Sequence, residues 1–276
     1  MDSKKRFDLS NRVAVITGGA GLLGKEHATI IAEAGGIPIL ADVKEKEAQK
    51  IAQKISQEFH VPALGIGIDI TNKKDVELLL KKLSEKFKRV DILINNAAND
   101  PKVEGENQNS NWSRFESFSL DMWEKDLAVS LTGSFLCSQV FGNYMAKQGS
   151  GVILNISSDL GLIGPDQRLY EVEDKPQEEQ PVKPVTYSVV KTGLIGLTRY
   201  LATYWASCGV RVNALCPGGI DAGQPMEFKD RVHYRIPMGR MARIDEYQGA
   251  VLFMISDESS YMNGAILAVD GGRTCW

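Results

Sequence analysis

Basic excess, paired cysteines and long apolar runs are all missing from this 276-residue sequence. Lys and Arg number 32 against 35 Asp and Glu, and the resulting net charge of −3 gives no reason to expect nucleic acid or an anionic membrane as partner. The four cysteines, Cys137, Cys208, Cys216 and Cys275, are scattered without a CxxC pair, which argues against a disulfide framework, a redox dithiol or a zinc ribbon. His27, His60 and His233 lie far apart, so no metal centre is expected. No apolar run is long enough to span a bilayer. The opening MDSKKRFDLSNR runs into a strand without the apolar core of a secretory signal. These absences lead to the expectation of a cytoplasmic protein.

What is present is an alternation. Val13–Thr17 (VAVIT) is a continuous apolar run of strand length, the pattern of a strand buried on both faces of a parallel sheet. It enters TGGAGLLG (17–24), then a helical stretch from about Lys25 to Ala34, then a second apolar run, Ile37–Ala41, ending in Asp42. Glu45–Phe59 and Lys73–Phe87 read as amphipathic helices, separated by a strand from Ala63 to Ile68 that ends in Asp69. Asp91–Ile94 is a short strand leading to Asn95, Asn96, Ala97 and Ala98. A polar loop from Asn99 to about Phe118 precedes one long helix, about Leu120–Lys147, and the strand Val152–Ile156 before Ser157 and Ser158. Later come a strand at Val210–Leu215, a helix starting near Asp245 as its cap, and a final strand at Ala265–Val269.

Repeated strand–helix units imply right-handed crossovers and a doubly wound parallel α/β sheet of about seven strands, with helices on both faces. No repeat or linker interrupts the pattern, so residues 1–276 are expected to form a single Rossmann-type domain. Ligands of such sheets bind at the carboxyl ends of the strands, where Asp69 and Asn95 would face the groove.

The strand, glycine-rich turn, helix, strand and acid occur in the order of a dinucleotide site. Glycines allow the tight turn and let backbone approach a pyrophosphate at the helix N-terminus. Asp42 lies 18 residues after Gly24, near the ~20-residue offset of an acid that binds ribose hydroxyls. A 2′-phosphate about 4 Å from that carboxylate would cost several kcal/mol at intermediate dielectric, so the expected cofactor is NAD rather than NADP.

The chemistry is expected on the helix Thr186–Tyr204, where Tyr187 and Lys191 stand four residues apart on one face. A free phenol titrates near ~10, and a neighbouring ammonium favours its ionised form. Such a phenol exchanges a proton with a substrate oxygen. The serines at 157 and 158 fall on the same rim, where one of them could orient a substrate carbonyl. Between them lies Pro165–Pro184, whose four prolines exclude a regular helix or central strand. Three readings of this insert stay open: a disordered surface loop, a partner contact, or a flap over substrate with Gln167, Arg168 and Tyr170 as contacts.

With TGGAGLLG, Asp42, Asp69, NNAA from Asn95, NISS, YSVVK from Tyr187, PGGI from Pro217 and VDGG from Val269 in order, the sequence resembles the compact short-chain dehydrogenases/reductases from about Leu9 to Gly272, most of the proline-rich insert left out. The resemblance implies hydride transfer between a nicotinamide and a secondary alcohol or ketone. Tyr187 would be the acid/base, Lys191 would assist it and hold the nicotinamide ribose, and Ser158 would position the substrate oxygen. It also implies a dinucleotide held by Gly18, Gly21, Leu22, Leu23, Asp42, Asp69, Ile70, Asn95, Ala97, Pro217, Gly218 and Ile220 together with Tyr187 and Lys191, and a homodimer or homotetramer.

Three positions depart from the family pattern. Leu22 stands where compact members have glycine, giving the TGxxGxxG spacing of the nucleotide-sugar epimerases and dehydratases. Ser130 takes the place of an Asn that supports a proton relay, and Ala222 that of a threonine contacting the nicotinamide amide. Two alternatives follow: an NAD-binding regulatory or scaffold protein with faded catalysis, and a redox-neutral epimerase or dehydratase. The segments PDQRLYE, LTRYLATYW and PMGRMA are similar to a branch associated with flagellin or surface-glycan modification. That likeness implies a sugar-like small-molecule alcohol as substrate.

Overall fold

The structure is a computed structural model that describes residues 6–99, 103 and 111–276. Residues 100–102 and 104–110 of the loop expected at 99–118 lie outside the described residues. Seven parallel strands form one sheet: β1 Val13–Thr17, β2 Ile37–Asp42, β3 Leu64–Gly67, β4 Ile92–Asn95, β5 Gly151–Ile156, β6 Val210–Pro217 and β7 Ile266–Val269. Their spatial order is β3-β2-β1-β4-β5-β6-β7. The direction of winding therefore reverses between β1 and β4, which opens a crevice at the carboxyl ends of those strands.

The alternation of side chains along each strand feeds two cores. Val13, Val15, Ile39, Leu93, Ile153 and Val212 face one side. There they meet Leu79 and Leu83 of α3 (Lys73–Phe87), Phe141 and Met145 of α5 (Gly133–Gln148), and Leu201 of α6 (Val185–Tyr204). Ala14, Ile16, Leu40, Ile94 and Leu154 face the other side. Their partners are Ala28 and Ile31 of α1 (Leu22–Glu33), Ala48 and Ile55 of α2 (Glu45–Phe59), and Val251 and Met254 of α8 (Gln248–Ile255). Both faces of the central strands are dry, which is why those strands read as unbroken apolar runs.

Several boundaries differ from expectation. Helix α1 begins at Leu22 rather than near Lys25, because Gly21 is already extended, with ψ 176°, and acts as the N-cap residue. The long helix expected at 120–147 is α4 (Leu120–Leu127) and α5 joined by a π-helical turn, Ala128–Thr132, a register change that places Ser130 inward. Helix α8 starts at Gln248, not at Asp245, whose carboxylate pairs with Arg243 at 3.2 Å instead of capping the helix.

The proline-rich insert is not the disordered loop that its composition allows. It holds two 3₁₀ turns, Gln167–Tyr170 and Gln177–Glu179. Leu169 is buried with Val232, Ile236 and Met241 in a third apolar cluster beside α7 (Met226–His233). The side chain of Gln180 accepts the Val172 N–H and donates to the carbonyls of Val172 and Lys175, so it stands in for a missing ladder. Among the described residues no helix is long and apolar enough to cross a membrane.

Two consequences for stability can be measured. A Cβ on Gly142 of α5 would lie 2.2 Å from Cη2 of the buried Trp205 ring. Gly142→Ala is expected to lower the unfolding free energy by about 1–3 kcal/mol in denaturant melts. On α1, burial holds the His27 pKa down to about 4, against a smaller opposing contribution from the Asn96 side chain. An unfolded chain takes up that proton near ~6.5. Between those values the unfolded state therefore binds more protons, and stability falls as pH falls. His27→Leu should recover about 3 kcal/mol of the acid loss measured from pH 6.5 to 4.

Candidate active site

A cleft of about 760 Å³ runs along the carboxyl edge of the sheet. Its first end is made by backbone. Gly18, at φ +63°, opens the turn after β1, and the Gly21 N–H donates to the Gly18 carbonyl at 3.0 Å. A Cβ on Gly24 would fall 2.2 Å from that same carbonyl, so the turn and the start of α1 come together only with hydrogen there. Leu22 and Leu23 line the cleft in the first turn of α1, where backbone N–H groups lack intrahelical acceptors. A glycine cradle beneath a helix N-terminus fits a pyrophosphate.

Asp42, at the end of β2, is oriented by two backbone donors: Ala20 N–H to Oδ2 at 3.0 Å and Lys44 N–H to Oδ1 at 2.9 Å. Asp69, Ile70 and Ala97 also line this end, as do Pro217, Gly218 and Ile220 from the far side of the crevice. Ala222 lines it too. The carbonyl of Gly218 accepts the Tyr247 hydroxyl at 2.9 Å, and burial pushes that phenol upward, which keeps it protonated as the donor in this bond.

Asn95 does not face the groove. It is the last residue of β4, and its amide points into the interior, donating to Ser138 Oγ at 2.9 Å and Asn155 Oδ1 at 2.8 Å. The next residue takes the exposed side: Asn96 donates to the carbonyls of Thr17 and Gly18 at 3.0 and 3.1 Å, stapling the end of β4 to the glycine turn. Strand alternation applied to the Asn-Asn pair would have separated the two roles.

The second end carries Ser158, Tyr187 and Lys191, brought together from the end of β5 and the first turns of α6. Lys191 is buried, and its Nζ donates to the Ile156 carbonyl at 2.9 Å. Ser157 does not share its neighbour's role: its hydroxyl donates to the Lys191 carbonyl at 2.7 Å and ties α6 to β5. The Ser158 hydroxyl donates to Asp159 Oδ1 at 2.8 Å and accepts the Leu160 N–H at 3.2 Å. Asp159 in turn holds Arg273 at 2.8 Å. The Lys191 ammonium stands 5.7 Å from the Tyr187 ring centroid, and that of Lys183 stands 3.9 Å above the same ring.

Other expected residues stand apart. Ser130 is buried in the π turn, where its hydroxyl accepts the Asn99 N–H at 3.1 Å, and Val129 lines the cleft in its place. Of the three insert residues expected as contacts, Tyr170 alone lines the cleft, packed 5.7 Å from the Phe228 ring, and Leu169 and Lys183 of the insert line it as well. Arg168 is two-thirds exposed and paired with Asp166, and Gln167 Oε1 accepts the Lys183 backbone N–H. The buried Asp126 was not singled out in the sequence, although it accepts from Thr186 Oγ1 at 2.5 Å and from Asn99 Nδ2 at 2.6 Å. An isolated aspartate on a helix carries no pattern that marks it. No cluster of His, Cys, Asp and Glu able to hold a metal occurs among the described residues.

Comparison with known proteins agrees with this geometry. Residues 12–170 match the short chain dehydrogenase family, and residues 177–274 match a family described as enoyl-(acyl carrier protein) reductase. An uncharacterized oxidoreductase of Thermotoga maritima is 35% identical, the alignment covering 97% of this chain and 99% of the relative. The cis-4-hydroxycyclohexanecarboxylate dehydrogenase of Sinomonas cyclohexanicum is 33% identical over 96% of this chain and 97% of its own. A gluconate 5-dehydrogenase of Burkholderia cenocepacia, solved with NADP and tartrate, superposes with a TM-score of 0.86 at 27% identity and covers 99% of both chains. With sheet order, cleft and sequence match all in agreement, the chain belongs to the short-chain dehydrogenase family, oxidoreductases that act on alcohols and ketones.

Proposed function

We propose that this enzyme interconverts a secondary alcohol and its ketone with NAD(H), on a compact, polar, sugar-like substrate. The observation that carries the reading is the joining of Ser158, Tyr187 and Lys191 to the glycine cradle and Asp42 within one cleft. Bound nicotinamide would supply the hydride acceptor. The protein's part is to place the substrate oxygen between the Ser158 and Tyr187 hydroxyls and to move one proton at Tyr187 Oη. Lys191, fixed by the Ile156 carbonyl, puts positive charge beside that phenol.

Asp42 supports NAD over NADP, since its carboxylate is already committed to two backbone N–H groups and cannot turn away from a 2′-phosphate. Lys44, two residues on, also lines the cleft and tempers this repulsion. Leu120, Phe135, Tyr200 and Tyr204, large apolar groups exposed on α4, α5 and α6, support the homo-oligomer that the family resemblance implies. The setting we propose is surface-glycan or flagellin modification, supported by PDQRLYE, LTRYLATYW and PMGRMA.

Tyr187→Phe is expected to lower kcat by about 10²–10⁴, while NAD affinity measured by fluorescence titration holds. Turnover that survives the change would refute the assignment. Asp42→Ala should raise kcat/KM with NADP at least about tenfold relative to NAD, the worth of one removed like-charge contact. A wild-type enzyme that uses both cofactors equally would contradict the role given to Asp42.

A further inference from the structure

We propose that Arg273 anchors an oxyanion of the substrate, a carboxylate or phosphate borne a few atoms from the hydroxyl that is oxidised. The inference rests on the dehydrogenase reading above and narrows its substrate class. Arg273 follows the turn after β7, where Gly271 and Gly272 adopt φ +66° and +90°. Asp270 accepts the backbone N–H groups of Gly272 and Thr274, which fixes the direction in which the chain leaves the turn. The Arg273 side chain then reaches Asp159, 114 residues earlier, in an ion pair of 2.8 Å whose two side chains are only 10% and 4% exposed.

The placement is specific. Ser158 Oγ donates to one oxygen of the Asp159 carboxylate and Arg273 Nη1 to the other, each at 2.8 Å. A single carboxylate thus sets the spacing between the group expected to meet the reacting oxygen and a guanidinium. A ligand spanning both is therefore compact. The guanidinium is a rigid fork of N–H donors with no acceptor capacity. Arg273 places one donor on Asp159, and the others have no acceptor among the described residues, although the side chain is nine-tenths buried and lines the cleft. A carboxylate or phosphate satisfies a fork of this shape two bonds at a time.

Charge along the cleft favours the same ligand. At this end the charged lining residues are Lys183, Lys191 and Arg273 against Asp159, whereas Asp42 and Asp69 against Lys44 lie at the dinucleotide end. An excess of positive charge in a concave, partly dry site attracts an anion.

The test is calorimetric titration of the enzyme–NAD complex with three unreactive ligands of one shape: cyclohexanecarboxylate, cyclohexyl phosphate and cyclohexanecarboxamide. The wild type is expected to bind a charged ligand about ten- to a hundredfold more tightly than the carboxamide, the size of a charge-assisted hydrogen bond. The tighter of the two anions identifies the natural group. Arg273→Gln should erase the preference, and Arg273→Lys, which keeps the charge without the fork, should retain part of it, with thermal melting confirming that each variant folds. Equal affinity for all three ligands in the wild type, or an undiminished preference in folded Arg273→Gln, overturns the anchor. Failure of NAD itself to bind overturns the dehydrogenase reading instead, so the two failures are distinct.

Discussion

The buried ammonium of Lys191, held by the Ile156 carbonyl, is the constraint on which the site depends. An unpaired charge in that position would be expensive to bury, so the lysine is stable only where a strand end offers it an acceptor. That requirement fixes the distance between the end of β5 and the second turn of α6. Ser157 reinforces it in the opposite direction by donating to the Lys191 carbonyl. Tyr187, one turn earlier on the same helix face, is then carried to the rim of the cleft.

The remaining polar network serves this placement from two sides. Asp126 receives Thr186 and Asn99, joining the start of α6 to the segment that leaves β4. Asn96 joins that segment to the glycine turn. The dinucleotide end and the proton-transfer end are thus linked through the loop after β4, not only through the sheet. On the other side, Asp159 and Arg273 hold Ser158, and the insert with α7 closes the wall through Leu169, Tyr170 and Phe228.

Much of this was legible in the sequence because it follows from period and spacing. Apolar runs marked the buried strands, the order of turn, helix and acid marked the cradle, and the i, i+4 pair marked the helix of the chemistry. A strand-end position fixes only the edge, and the pleat decides which of two adjacent residues looks out: Asn96 lines the groove and Asn95 turns inward. The π turn at Ala128–Thr132 leaves no trace in the apolar pattern, so the inward placement of Ser130 is not legible from it. The insert's prolines correctly excluded regular elements. Its burial depends on Leu169 meeting partners 63 to 72 residues away and on Gln180 bonding within the insert itself, and such partners do not show in local composition. Arg273 is joined to Asp159 across 114 residues, a separation that no local pattern reveals.

The central claim is that the Lys191 charge enables proton exchange at Tyr187. Single-turnover reduction of NAD by a saturating alcohol substrate, followed across pH in the wild type and in Lys191→Met, tests it most directly. Without the ammonium, the rate at pH 7 is predicted to fall by about 10²-fold or more and to recover as the pH rises towards ~10, where an unassisted phenol ionises. A Lys191→Met enzyme that transfers hydride at the wild-type rate at pH 7, or whose loss is the same at every pH, would contradict the account.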